Sequence, residues 1–296
     1  MVSQDRIDSA TARVAVIGLG YVGLPLALAL AEVGFPTLGV DVNEARVAAL
    51  QRGESYLHDI AAERIAAQRA AGRFEASADY DRLREVDVIF ICVPTPNDRQ
   101  RAPDLSYIIA AAEGIAPRLQ RGQLIVLQST TYPGTTEEEV QPILERTGLR
   151  AGRDFYLAFS PERINPGDQV HTVHNTPKVV GGVDPQSAAL TARLLARLTP
   201  QVHIVSTPRA AEMTKLLENI VRSVNIALEG ARVRFLDQIR RAGGGGQPGH
   251  ALPRGGPYHR GPGRARCAPA RRRGPAPGGD LQARRGRCAQ LAGRAH

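Results

Sequence analysis

Short, unbroken apolar runs recur along the chain, separated by stretches whose apolar residues follow helical spacing. R-V-A-V-I (13–17) has the continuous apolar character of a strand buried on both faces, as in parallel sheets. T-L-G-V-D (37–41), V-D-V-I-F-I-C-V (86–93) and Q-L-I-V-L-Q (123–128) read the same way, as do residues 155–159 and 202–205. Residues 24–32, 44–52, 59–71, 107–119, 137–146 and 185–198 read as helices. Strands and helices alternating at this spacing predict an α/β fold, a doubly wound parallel sheet over residues 1–206.

Pro208 then opens a longer helical pattern, and proline suits a first helical turn. Met213, Leu216, Leu217, Ile220, Val221, Val224 and Leu228 keep helical spacing, and the pattern continues to about Arg241. This predicts a central helix over 207–241. At Gly243–Gly246 all periodicity stops, and residues 242–296 carry Arg, Gly, Pro and Ala with no pattern from which a core can be drawn.

Charge sharpens that division. The net charge of +9 belongs to the end of the chain: Glu229–His296 holds fifteen Arg, no Lys and three acidic residues, a net +12, against −3 for the first 228 residues. Half of the 30 glycines also lie there. The remainder is apolar enough to bury a core, which excludes a chain disordered throughout. Three scattered Cys make neither a disulfide framework nor a zinc-ligand spacing, so no metal is expected and a reducing, cytoplasmic setting is. Val14–Ala31 is uncharged for 18 residues, but Gly18, Gly20, Gly23 and Pro25 interrupt it. A strand, a turn and a helix explain it better than a membrane span. The first twelve residues are acidic and polar and do not read as a secretory signal.

The glycine turn carries the first chemistry. In G-L-G-Y-V-G, Gly18 permits a sharp turn, Gly20 lets the backbone approach a pyrophosphate, and Gly23 lets the helix pack closely. Tyr21 and Val22 complete the loop, and the following helix start offers N–H groups to phosphates. Asp41 ends the second strand, eighteen residues after Gly23, where a carboxylate can accept hydrogen bonds from ribose hydroxyls and repel a 2′-phosphate. This favours NAD over NADP. The alternative is a glycine turn that only packs, with Asp41 capping the helix from Asn43 onward.

With these residues in place, the chain resembles the nucleotide-sugar 6-dehydrogenase (UDP-glucose/GDP-mannose dehydrogenase) family over roughly residues 12–228. The motifs appear in order: V-A-V-I-G-L-G-Y-V-G-L-P, V-I-F-I-C-V-P-T-P, Q-S-T-T-Y-P-G-T-T, F-S-P-E-R-I-N-P-G and K-L-L-E-N. N-P-G-D followed by N-T-P-K-V-V-G-G resembles members acting on UDP-N-acetylhexosamines, such as UDP-N-acetylglucosamine 6-dehydrogenases. The resemblance implies oxidation of a UDP-sugar at C6 to the uronic acid with two NAD. It places Arg46, Pro94 and Thr95 in the cofactor pocket beside the glycine loop and Asp41. It gives Thr130 a water near the reacting carbon, and Glu162 the hydrolysis step. Lys215 and Asn219, four apart on one helix face, would stabilise charge on the C6 oxygen. It also implies a homodimer around the central helix and no membrane partner. Alternatives for these residues are a strand exit at Thr95, a cap at Thr130, an exposed Glu162–Arg163 pair and a solvated Lys215/Asn219 face. Cys92 reads as a small apolar filler.

The same resemblance implies a nucleophilic cysteine in a G-G-x-C segment after the central helix. Cys267 stands in R-A-R-C-A-P and Cys288 in R-G-R-C-A-Q, and neither matches. The expectation is a chain that lacks the nucleophile and is impaired in full turnover, its last part from about residue 229 the product of a reading-frame change. Two other readings stand beside it. A nonenzymatic remnant whose basic tail binds nucleic acid has in its favour the charge; against it, Tyr258 is the single aromatic beyond Arg241, so specific nucleic-acid binding is not expected. Another NAD dehydrogenase, of hydroxyacid type, would share the glycine loop but not S-T-T-Y-P-G-T-T or S-P-E-R.

Overall fold

The apolar runs become the strands of a single eight-stranded sheet in the computed structural model, which describes residues 2–96, 103–162 and 173–242. In chain order the elements are α1 (Gln4–Asp8), β1 (Val14–Ile17), α2 (Gly23–Glu32), β2 (Thr37–Val40), α3 (Glu44–Gln51), α4 (Ala62–Ala70), β3 (Phe74–Ser77), β4 (Val88–Ile91), α5 (Ser106–Ile115), β5 (Leu124–Leu127), α6 (Gln141–Glu145), β6 (Tyr156–Phe159), β7 (Lys178–Gly182), α7 (Pro185–Leu195), β8 (Val202–Val205) and α8 (Pro208–Ala242). The spatial order is β3-β2-β1-β4-β5-β6-β7-β8. Its first six strands are parallel, and the order reverses between β1 and β4, which is where such sheets open a crevice at their carboxyl edge.

The parallel sheet expected from the sequence needs one correction. β7 runs antiparallel to β6, pairing Ala158 with Gly182 and Phe159 with Gly181, and β8 follows β7 in parallel. β7 therefore begins at the edge where the first six strands end. Three further elements, α1, β3 and β7, are absent from the sequence reading. Phe74–Ser77 alternates buried and exposed residues at the sheet edge, and four residues are too short a run to stand out from a loop. Three helices are also shorter than expected, and α7 ends at Leu195, short of residue 198. Residues 59–61 precede α4, and α5 ends at Ile115, where a short 3-10 turn containing Pro117 follows. The stretch 137–146 splits into a π-helical turn, Thr136–Val140, and α6. Pro142 has no N–H to give the regular helical ladder there.

Alternation along each strand divides the core between two faces. Val14 and Val16 of β1, with Phe90 and Val126, pack beneath Leu24 and Leu28 of α2 and Leu190 and Leu194 of α7. Ala15 and Ile17, with Ile89, Ile91 and Ile125, face Ile108 and Ala112 of α5 and Ile143 and Leu144 of α6. All are essentially fully buried, and each larger side chain among them contributes about 1.5–3 kcal/mol relative to exposure. The uncharged stretch 14–31 is thus a strand, a turn and a helix, and among the described residues no helix is long and apolar enough to cross a membrane.

The helical pattern that opens at Pro208 becomes α8. Its apolar residues do keep helical spacing, but Leu217, Ile220, Val221, Val224 and Leu228 are each at least half exposed. They are not part of either core. The described residues belong to one compact unit, and the second unit, His259–His296, lies outside them, as do Cys267 and Cys288.

Candidate functional site: a cleft at the carboxyl edge of the sheet

The glycine turn is built as its spacing requires. Gly18 takes φ +89°, a left-handed conformation that side chains rarely adopt. A Cβ on Gly23 would fall 1.8 Å from the Gly18 carbonyl oxygen, so only glycine lets α2 start this close to the strand exit. Gly20 is different: a Cβ there would meet nothing within 4 Å. Its open side faces a cleft of about 730 Å³, within the range of small-molecule sites. No side chain caps the start of α2.

Asp41 ties the second strand to this turn. Its buried carboxylate accepts hydrogen bonds from the Leu19 N–H at 2.8 Å and the Asn43 N–H at 2.9 Å, one on each oxygen. Each carboxylate oxygen has a second acceptor site, so capacity for a ligand hydroxyl remains. The N-cap of α3 is Asn43, whose side chain accepts from the Arg46 N–H, so Asp41 is not that cap. The Arg46 guanidinium lies 3.5 Å from Asp41 and 5.7 Å from the centre of the Tyr56 ring. Tyr56 in turn donates its hydroxyl to the Leu19 carbonyl. Burial, with Asp41 adding to it, pushes the Tyr56 phenol up, so it remains a donor.

One cleft lining includes Gly18, Gly20, Tyr21, Val22, Asp41, Arg46, Pro94 and Thr95 together with Thr130, Glu162 and Lys215. Gly23 packs beneath it. Asn219 is half-buried one turn beyond Lys215 on α8 and is not among the lining residues. Gln128 and Ser129, which open the Q-S-T-T motif, line it too, as do Tyr80 and Tyr107, which no motif marked.

Under the cleft lies a buried polar cluster. The Lys178 ammonium is fully buried and donates to both Glu162 carboxylate oxygens at 2.8 Å. Gln128 Nε2 donates to Glu162 at 3.3 Å, and the Cys92 thiol donates to Gln128 Oε1 at 3.3 Å. Glu162 is therefore no exposed partner of Arg163, which lies outside the described residues. Cys92 is more than a filler: it is buried but hydrogen-bonded. Burial, reinforced by Glu162 and opposed by Lys178, pushes its thiol up, which makes it a poor nucleophile.

Two features hold α8 against this site. Glu212, fully buried, accepts from the Gly134 N–H at 2.5 Å, the Thr136 N–H at 2.9 Å and the Thr136 hydroxyl at 2.6 Å. It thereby ties the helix carrying Lys215 to the loop carrying Thr130. Gly181 lets β7 touch the start of α8, since a Cβ there would fall 2.1 Å from the Thr207 carbonyl oxygen. A lone Glu in a helical pattern gave no sign of this in the sequence.

Known proteins resemble the chain over this same region. Residues 12–199 match the NAD binding domain of the UDP-glucose/GDP-mannose dehydrogenase family. Over 219 residues the chain is 41% identical to UDP-N-acetyl-D-glucosamine 6-dehydrogenase of Pseudomonas aeruginosa, covering 73% of this chain and 51% of that one. It is 38% identical to the enzyme of that name from Salmonella typhi over 222 residues, 73% of this chain and 50% of the relative. The structure of UDP-D-ManNAc dehydrogenase from Pyrococcus horikoshii superposes with a TM-score of 0.69 at 35% identity, covering 73% of this chain and 52% of that one. The chain thus spans about half the length of the curated relatives it matches. By this match and these relatives, the chain belongs to the UDP-glucose/GDP-mannose dehydrogenase family, of which it carries the NAD-binding domain.

Proposed function

We propose that this chain serves NAD-dependent oxidation of a nucleotide sugar at C6, with a UDP-N-acetylhexosamine as substrate. The observation that carries the proposal is the single cleft in which the glycine turn and Asp41 share a lining with Thr130, Glu162 and Lys215. Bound NAD would supply the hydride acceptor. Gly20 leaves room for its pyrophosphate, Asp41 takes the ribose, and Arg46 flanks Asp41. In the same cleft Lys215 would stabilise negative charge on the sugar oxygen, with Asn219 on the same helix face, and Thr130 would hold a water. Glu162 would receive that water's proton in the hydrolysis step.

The thiol step of the family has no candidate among the described residues. Cys92 is buried and its thiol is pushed up, and Cys267 and Cys288 lack the flanking glycines of the family's nucleophile. The chain alone is expected to bind NAD and to fail four-electron turnover. Incubation with UDP-N-acetylglucosamine and NAD, following NADH and uronate, tests this; robust uronate formation contradicts it. Calorimetry separates the substrate classes. A UDP-sugar should bind the NAD-loaded chain, and Lys215→Ala should weaken that binding but not NAD binding. Preference for a simple hydroxyacid would favour the other dehydrogenase reading.

We also propose that the exposed apolar stripe of α8 packs against a second copy of the chain, because a helix with this many half-exposed aliphatic side chains is unfavourable in water.

A further inference from the structure

The reversal of β7 has a local consequence at the cleft. Phe159 pairs with Gly181 in antiparallel register, and extending that register by three residues sets Lys178 opposite Glu162. The first six strands bring only their carboxyl ends to this edge, but β7 brings its first residue. A lysine that opens an edge-proximal strand is thereby buried completely beneath a site lined by Glu162. Its ammonium reaches both carboxylate oxygens at 2.8 Å.

We propose that Lys178 is a positioning residue that keeps the Glu162 carboxylate charged and aimed into the cleft. Two equal bonds from one ammonium fix the carboxylate plane, while Gln128 Nε2 at 3.3 Å braces one of its oxygens. An isolated buried carboxyl favours its neutral form, and a hydrogen-bonded cation favours the charged one. A charged carboxylate can accept a proton from water, and a neutral acid cannot. Among the described residues, Lys178 on β7 bonds Glu162 directly, Cys92 beyond β4 lies close enough to feel its charge, and Lys215 on α8 lines the same cleft. Of these, Lys178 makes the direct two-oxygen contact. The functional meaning of this arrangement rests on the reading of Glu162 as the proton acceptor, but its test does not.

The test is infrared spectroscopy of the full chain at neutral pH, comparing wild type with Lys178→Met, Lys178→Arg and the double variant Lys178→Met/Glu162→Gln. A carboxylic-acid carbonyl band should appear in Lys178→Met and be missing from the other three. No band in Lys178→Met, or a band that persists in the double variant, overturns the proposal. Should Lys178→Met fail to fold, recovery of folding in the double variant supports it, because the defect is then the carboxylate that has lost its Lys178 partner. A double variant that also fails to fold overturns it, since Lys178 then serves something other than Glu162. Titration of Glu162→Gln with NAD and UDP-sugar followed by turnover measurements in a complete relative addresses the separate question of whether Glu162 acts in the chemistry. An unaffected Glu162→Gln would remove that role while leaving the infrared result standing.

Discussion

Asp41 shows how one side chain serves both fold and site. It holds the glycine turn through the Leu19 N–H while lining the cleft, so its substitution has two effects. Asp41→Asn should reduce the preference for NAD over NADP by about tenfold, roughly 1.4 kcal/mol, in competition titrations. It should also lower the melting temperature; an unchanged cofactor ratio contradicts the assignment. Asp154, which is not among the cleft's lining residues, reports on acid stability. The hydrogen bond from Arg153 lowers its carboxyl most, against the opposing effect of burial, and with the Arg150 N–H and the Arg121 charge holds it at about 2. A folded-state value below the unfolded one stabilises the fold above about pH 4 and is lost as pH falls towards 2. Asp154→Asn should therefore flatten the loss of stability between those values in acid denaturation, while an unchanged slope would show that the arginines contribute nothing.

Among the elements, β1, its turn and α2 were legible in V-A-V-I-G-L-G-Y-V-G-L-P because their chemistry is local: continuous burial, one left-handed glycine and one close helix approach. The strand direction of β7 was not, because K-V-V-G-G looks the same whichever way it pairs. Without that direction, Lys178 could not be placed beside Glu162. Glu212 was hidden for a similar reason, since its three donors come from residues more than seventy positions earlier. Removing its carboxylate leaves the Gly134 and Thr136 amides buried without their acceptor. Glu212→Ala should cost about 3 kcal/mol in urea unfolding. A loss under about 1 kcal/mol would mean that this clamp does not secure α8.

At the scale of the whole molecule, an NAD-binding sheet with its cleft is joined to a long helix whose aliphatic stripe has no cover among the described residues. Light scattering of the full chain should give a mass above that of one chain, and Leu217→Glu with Val221→Glu should lower it; a stable monomer in the wild type contradicts the pairing proposed for α8. The central claim is that the open side of Gly20 receives the cofactor, and calorimetric titration of NAD into wild type and Gly20→Val tests it most directly. Because a Cβ at Gly20 meets no protein atom within 4 Å, the variant should melt close to the wild-type temperature yet bind NAD at least about tenfold more weakly. Equal NAD binding by the two proteins would contradict the account.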